Sequence, residues 1–492
     1  MRLAVYTLGC RVNAYESACI ADAARAAGFD VVGWDCAPDI GVVNSCALTK
    51  LAEAKTRQVI RNMARKNPRV KIAVTGCYAQ TSERLNLENV EWLIPNTSKG
   101  ALIDIIKAGL AGGVERAPDS ADDKAGLEGK ISVSDGSLPD GDVAPCEGAD
   151  ICGAAGGKRH LECGGQSAGE NKRAFSDAQS FNDTARGSLC SFGTSPLSDR
   201  MNLKIQDGCD NWCSYCIIPR ARGKPRSRGF SEILSDANNL VARGVRELVL
   251  TGINISKFST PDGGLIELID ALSQVKYLKR LRLGSIEPPN IPLEAILERA
   301  ADESHPLMPH LHISAQSLSD VVLERMRRHY KAREFLEMAE FCMGRCPNIS
   351  IGADFICGHP GETDEEFEIT KKRLKESRLA YAHIFTFSPR PMTRAYGMKD
   401  VPDARKRKSR ADELRLVAAA LKRKFAESLV GGRRKFLLEN MVNGAYFAHT
   451  DNYVAAMVPF GAPGKKNALV DARIDGVDSS GYLVCSDARE IY

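Results

Sequence analysis

LKIQDGCDNWCSYCIIPRARG, residues Leu203 to Gly223, decides how the rest of the chain is read. It sets Cys209, Cys213 and Cys216 in C-x-x-x-C-x-x-C spacing directly after a short strand, Leu203 to Gln206. Three thiolates presented from one loop suit three irons of a 4Fe–4S cube, because a cluster needs soft ligands converging on a small volume. The fourth iron is then left open. Asp210, Asn211, Trp212 and Tyr215 lie between or beside the cysteines and fit a half-buried cluster better than a zinc ribbon. Zinc would want a fourth Cys or His nearby. Downstream the next candidate is the distant His305, and upstream it is Cys190, in a stretch of biased composition.

Strands and helices alternate beyond this loop to about residue 390. Strands are expected at Glu247–Thr251, Leu281–Ser285, Leu311–Ala315, Ile349–Phe355 and His383–Phe387, with helices at Ser231–Arg243, Leu265–Leu272, Leu318–Met326, Ala332–Phe341 and Asp364–Ser377. Repeated βα units favour parallel strands joined by right-handed crossovers, so the sheet should curl into a full or partial barrel. Polar residues cluster at the expected strand ends: Thr251, Gly252 and Asn254; Ser285 and Glu287; Gln316 and Ser317; and Asp354 ahead of the turn Gly358–Glu362. Each could equally be a cap or turn residue.

Before the loop, residues 2 to about 112 read as an α/β unit with strands Leu3–Thr7, Ile40–Asn44 and Lys71–Thr75 and helices Ala14–Ala27 and Leu51–Lys66. Cys10, Cys46 and Cys77 each fall just past one of those strands. The C-terminal ends of parallel strands share one edge, where sites are usually built, so the three cysteines should converge. Burial in the core is the alternative, and it is the reading for Cys19 and Cys36. From about residue 113 to 199 the chain turns to Gly, Ser, Asp and Ala, the composition of a flexible insert. Its Cys146, Cys152, Cys163, Cys190 and His160 are irregularly spaced and read as a tolerated surface loop.

With 492 residues, 43% hydrophobic and 26% charged, and a net charge of +5, the chain reads as a soluble, mildly basic protein. That excess permits a nucleic-acid partner without demanding one. No apolar run reaches about eighteen residues, and MRLAVYTLGC lacks the layout of a signal peptide, so a cytoplasmic location with no membrane contact is expected. In a reducing compartment the sixteen cysteines are better read as ligands, reactive thiols or core residues than as disulfides. Arg220, Arg222, Lys224, Arg226 and Arg228 make a basic run beside the cysteine loop, read as a phosphate or carboxylate contact. A second run, Arg405 to Arg410, opens a helix reaching about Glu427. Short strands return after Gly431, at Phe436–Glu439, Tyr453–Val458, Ala468–Ile474 and Gly481–Val484, as in a small antiparallel barrel.

C-x-x-x-C-x-x-C with an aromatic before the last Cys resembles the radical S-adenosylmethionine (SAM) superfamily, and CSYCIIPRARGKPRSR is similar to its methylthiotransferases. The resemblance implies a central (β/α)6 partial barrel. It also implies SAM chelated by the open iron at Cys209, Cys213 and Cys216, and an auxiliary 4Fe–4S cluster on Cys10, Cys46 and Cys77. Thr251, Gly252, Asn254, Ser285, Glu287, Gln316 and Asp354 become candidate SAM contacts. TLGCRVNAYES, Thr7 to Ser17, resembles the branch acting on N6-threonylcarbamoyladenosine at position 37 of tRNA. Arg11 and Val12 fit neither the isopentenyladenosine branch nor the ribosomal-protein branch. Family patterns Pro-Leu-Gln-Ser-Gly and Gly-Phe-Pro-Gly-Glu-Thr are replaced here by Ser314–Leu318 and Gly358–Thr363. G-x-x-x-x-F-L-L-E followed by HTDNY is similar to the TRAM domain, whose barrel binds RNA by stacking and basic grooves.

The resemblance thus implies an α/β chain with an N-terminal methylthiotransferase domain (1–112), an insert (113–199), a radical SAM barrel with a linker helix (200–427) and a TRAM-like barrel (428–492). Arg222, Arg226, Arg228, Arg433, Arg434 and Tyr453 are the expected RNA contacts. The implied activity is C2 methylthiolation of threonylcarbamoyladenosine-37, drawing on a reducing donor of flavodoxin or ferredoxin type and a sulfur source that the resemblance leaves open. The alternatives are a methylthiotransferase for isopentenyladenosine or a ribosomal protein, or a non-catalytic iron–sulfur RNA-binding sensor.

Overall fold

The computed structural model describes residues 1–82, 85, 87, 89–111, 200–288, 291–459 and 466–491. The expected insert, with Cys146, Cys152, Cys163, Cys190 and His160, lies outside the described residues. Among those described, no helix is long and apolar enough to cross a membrane.

The N-terminal unit is a parallel sheet ordered Asp30–Val31, Arg2–Thr7, Ile40–Ser45, Lys71–Gly76 and Val90–Ile94. Ile40–Ser45 is buried along its whole length, as a central parallel strand must be when helices cover both faces. The edge strand Val90–Ile94 and the helix Leu102–Leu110 go beyond the sequence reading. Both are short, and the strand's burial does not alternate cleanly.

Among the described residues six parallel strands form the centre, one of them in two segments. Arg280–Leu283, Glu247–Thr251 and Arg200–Lys204 make one sheet, and Ser285–Ile286, His310–Gln316, Ser350–Cys357 and Tyr381–Thr386 the other. The strand expected at Leu281–Ser285 is broken at Gly284, where a Cβ would lie 2.7 Å from the Leu250 carbonyl oxygen. This close approach lets the sheet turn its corner. Strand side chains alternate between faces. Leu248, Leu250, Leu281, Leu283, Leu311 and Ile313 therefore pack outward with the helices in one core. Glu247, Arg280, Arg282, His310 and His312 alternate with them and are buried polar residues. One further helix, Leu293–Ala301, follows Pro292 and goes beyond the sequence reading.

The C-terminal barrel closes in the order Arg433–Val442, Ala445–Thr450, Ala455–Val458, Leu483–Glu490 and Leu469–Val477. It has one strand more than expected, because AYFAHT runs on directly from the turn at Asn443 and Gly444, both at positive φ. One pair, Ala455–Val458 with Leu483–Glu490, is parallel rather than antiparallel. The barrel docks on the central strands through arginines that donate to backbone carbonyls. Arg280 reaches Lys435 O at 2.7 Å and His449 O at 3.1 Å, and Arg282 reaches Asp451 O at 2.6 Å and Thr450 O at 2.9 Å. Glu247 pairs with Arg282 Nε at 2.7 Å and with Arg280 at 3.5 Å.

Burial alone would raise the Glu247 carboxyl, but Arg282, Arg200 and Arg280 bring it down to about 2. Its folded value is below its unfolded one, so its stabilisation is complete above about pH 4.5 and fades as the pH drops toward 2. That component amounts to about 3 kcal/mol. Glu247→Gln should cost about 3–5 kcal/mol at pH 7, because it strands two buried guanidiniums. In urea titrations its unfolding midpoint should then vary less between pH 5 and pH 3 than that of the wild type. Parallel pH profiles for the two proteins would show that Glu247 does not hold this joint.

Candidate functional site

The cysteine loop is built on a glycine. Gly208 has φ +73°, and a Cβ there would lie 2.0 Å from Lys224 O and 2.7 Å from Gly223 O, so the loop's start lies flat on its own end. Cys209 N then donates to Gly223 O at 3.0 Å. At the loop's middle, Ser214 N donates to Met326 O at 3.0 Å, and Ser214 Oγ lies 2.9 Å from His359 Nε2. Burial holds His359 down to about 4, so it is neutral at pH 7 and acts as a fixed hydrogen-bonding anchor. His359 is the residue that departs from the family's Phe pattern, and this contact is its use.

Cys209, Cys213 and Cys216 are all half-buried. Burial and the neighbouring Cys213 push the Cys216 thiol up to about 12, with Cys209 adding to it. Soft-metal binding at Cys216 must therefore displace its proton. Arg328 Nη1 lies 3.5 Å from Cys213 Sγ and pairs with Glu287. Glu287 also accepts from Asn254 Nδ2 at 2.6 Å and from Asn211 Nδ2 within the cysteine loop. Of the strand-end candidates, Asn254 and Glu287 thus come to the cysteines. Thr251 is buried, and a Cβ on Gly252 would meet Gln206 at 3.0 Å, where Gln206 Oε1 accepts from the amides of Ile253 and Asn254. Ser285 is exposed on the adjoining strand, and Gln316 ends its strand at φ +64°. Asp354 is instead engaged by His312 and His383, at 3.0 and 3.3 Å.

A second trio forms at the edge of the N-terminal sheet. Cys10 caps the helix Arg11–Ala26, Cys46 follows Ile40–Ser45, and Cys77 opens the short helix Cys77–Thr81. Gly9, at φ +97°, lets the chain pass Cys46, because a Cβ there would sit 2.9 Å from Cys46 Sγ. Burial pushes the Cys46 thiol up to about 12, with Cys10 and Cys77 close enough to add to it.

Beside the N-terminal trio lies Arg222, 3% exposed, from the helix that follows the cysteine loop. Its Nε donates to Cys77 Sγ at 3.3 Å, Nη1 to Glu16 at 2.9 Å and to Asp207 at 3.0 Å, and Nη2 to Asn13 Oδ1 at 2.6 Å. Lys99 and Lys204 complete the network on Glu16 at 2.6 and 2.7 Å. Burial would raise the Glu16 carboxyl, but Arg222, Lys204 and Lys99 hold it well below the usual carboxylate range. Sequence reading missed Glu16, Lys99 and Lys204, since partners 83 to 206 residues apart leave no local pattern.

Several expected RNA contacts are corrected by the geometry. Arg222 is an internal tie, and Arg228 binds Tyr15 Oη, Asp236 and Lys204 O, each at 2.8 Å. Tyr453 lies between Arg200 and Arg282, each 4.9 Å from its ring, and stacks on His449 inside the barrel joint. Arg434 bonds Asn348 at 2.8 Å, whereas Arg433 stays exposed on the barrel surface, paired with Asp471 and Asp487. Arg220, Lys224 and Arg226 are exposed, although Arg226 also lies 3.8 Å from Asp207.

Arg222→Ala should destabilise the protein by about 3–5 kcal/mol, since it leaves buried carboxylates under-neutralised. Arg222→Lys should recover only part of this, because an ammonium lacks the five-donor fork. Thermal unfolding and trypsin digestion of the three proteins check this. A fully stable, equally resistant alanine variant would remove Arg222 from the centre of the joint.

Residues 2–93 match the model described as Uncharacterized protein family UPF0004, and residues 203–374 match the Radical SAM superfamily. The chain is 31% identical to the threonylcarbamoyladenosine tRNA methylthiotransferase MtaB of Rickettsia prowazekii, over 99% of this chain and 97% of that protein. It is 30% identical to the protein of the same name from Bacillus subtilis, over 92% of this chain and 89% of that one. A solved structure, the radical S-adenosylmethionine methyltransferase TsrM from Kitasatospora setae, shares the fold with a TM-score of 0.50 at 12% identity, covering 80% of this chain and 77% of that one. Similarity across nearly the whole length, together with both matched domains, places this chain in the MtaB family of threonylcarbamoyladenosine tRNA methylthiotransferases.

Proposed function

We propose that this protein inserts a methylthio group at C2 of N6-threonylcarbamoyladenosine at position 37 of tRNA. The observation that carries the proposal is that one buried guanidinium, Arg222, ties Cys77 of one trio to Asp207, two residues before the first cysteine of the other, in a chain of this family. Each trio offers three soft donors beside an arginine that lies on a sulfur, Arg222 at Cys77 and Arg328 at Cys213, and such contacts offset thiolate charge. Cys209, Cys213 and Cys216 would hold the cluster that receives SAM, and Cys10, Cys46 and Cys77 the auxiliary cluster. When bound, the cluster and SAM supply the one-electron chemistry needed to take hydrogen from an aromatic C–H bond too weakly acidic for a side-chain base.

The protein's own residues act by position. Asn254 and Glu287 present polar atoms beside the cysteine loop, with Thr251, Gly252, Ser285 and Gln316 on the adjoining strand ends as further SAM contacts. Gln206 fixes the Gly252–Asn254 turn, so that presentation is pre-organised. Exposed Arg220, Lys224 and Arg226 are placed to meet tRNA phosphates beside the reacting base. Functional units follow the divisions 1–112, 200–427 and 428–492, and the enzyme works in the cytoplasm with a flavodoxin- or ferredoxin-type reductant.

Nucleosides from total tRNA of cells lacking the gene should lose 2-methylthio-threonylcarbamoyladenosine by mass spectrometry and regain it on complementation. Loss of the isopentenyl analogue instead, or of no nucleoside, would overturn the substrate assignment. In vitro, Cys209→Ala should abolish SAM cleavage, whereas Cys46→Ala should cleave SAM but make no methylthio product. Equal loss of both activities in a folded Cys46→Ala protein would sink the division of labour.

A further inference from the structure

The central barrel carries a polar cluster that the proposed chemistry does not use. His312, Asp354 and His383 stand on three successive parallel strands, with Asp354 directly opposite His383. His312 Nε2 and His383 Nδ1 lie 3.0 and 3.3 Å from the same oxygen, Asp354 Oδ1. One ligand atom from each of the three residues lies within 4.8 Å of the others. A second layer supports them. His312 Nδ1 is 3.0 Å from Tyr381 Oη, which is also 2.8 Å from His310 Nε2. Gly352 makes room for this layer, since a Cβ there would lie 2.0 Å from the Tyr381 ring.

A phenol oxygen has two lone pairs and can accept from both histidines. With Nδ1 engaged by Tyr381, Nε2 is the atom that His312 offers toward Asp354.

We infer that His312, Asp354 and His383 bind a divalent first-row transition ion, separate from either cysteine trio. Two imidazoles and one carboxylate are the donor set for Fe(II), Mn(II), Co(II) or Zn(II) rather than for a thiolate cluster. Three protein ligands leave coordination positions open for oxygen donors. His383, with a side chain 44% exposed, provides the entry path. Tyr381 engages Nδ1 of His312 and orients its ring, the part outer hydrogen bonds play at metal-ligating histidines.

The test uses full-length, cluster-loaded protein dialysed against Zn(II) and, separately, Mn(II), with bound metal counted by mass spectrometry. Wild type should hold one more equivalent of at least one ion than His383→Ala or Asp354→Asn, or bind it about tenfold more tightly. Zinc held by other groups is common to all three proteins and cancels in the difference. His383 is half exposed, so its alanine variant should fold, as equal melting temperature and cluster absorbance verify. That variant decides the question even if Asp354→Asn does not fold. Equal counts and affinities for both ions in wild type and His383→Ala overturn the site, whatever the outcome of the tRNA assay.

Discussion

A guanidinium cannot shed its proton, so where it is buried the structure must neutralise it and satisfy its donors. Arg222 meets that demand with groups from both halves of the molecule: Asn13, Glu16 and Cys77 from the N-terminal unit, and Asp207 from the strand that leads into the cysteine loop. Because these groups are fixed by one planar fork, the edge bearing Cys10, Cys46 and Cys77 cannot shift against the loop bearing Cys209, Cys213 and Cys216 without breaking several charged hydrogen bonds at once. Arg228 adds a second tie through Tyr15 and Asp236. The relation between the two trios is thus set by electrostatics at a buried joint, with glycines at 9, 76 and 208 supplying backbone that no Cβ could follow.

The opposite end of the central barrel obeys the same logic. Glu247, Arg280 and Arg282 would be costly alone in a buried position, and the C-terminal barrel completes them by offering the carbonyls of Lys435, His449, Thr450 and Asp451. Tyr453 is held between Arg200 and Arg282, its left-handed backbone at φ +69° turning the ring into the joint. A TRAM-like barrel here is therefore an integral base to the catalytic unit, and Tyr453 and Arg434, which read as RNA contacts, serve that seam.

Much of the architecture was legible because it rests on local pattern. Alternation of βα units announced the parallel barrel, and the repeated placement of a cysteine just past a strand announced the N-terminal trio. The extra strand Ala445–Thr450 escaped because AYFAHT has no alternation of polarity, being half-buried and buried in turn inside a closed barrel. In the basic run, charge was visible but direction was not. Arg222 and Arg228 turn inward and Arg226 outward, which depends on acids at 16, 207 and 236 that no window around residue 222 contains.

By itself, then, the sequence determined the two cysteine groupings, the six-stranded barrel and the family, since soft-ligand spacing, side-chain period and motif strings are all encoded over short stretches. Only the tertiary structure decided which polar residues act together. It took Asn254 and Glu287 to the cysteines, Asp354 to two histidines, and Tyr453 and Arg222 into buried joints. The physical reason is that a buried charge is defined by its partners, and here those partners come from strands and helices tens to hundreds of residues away.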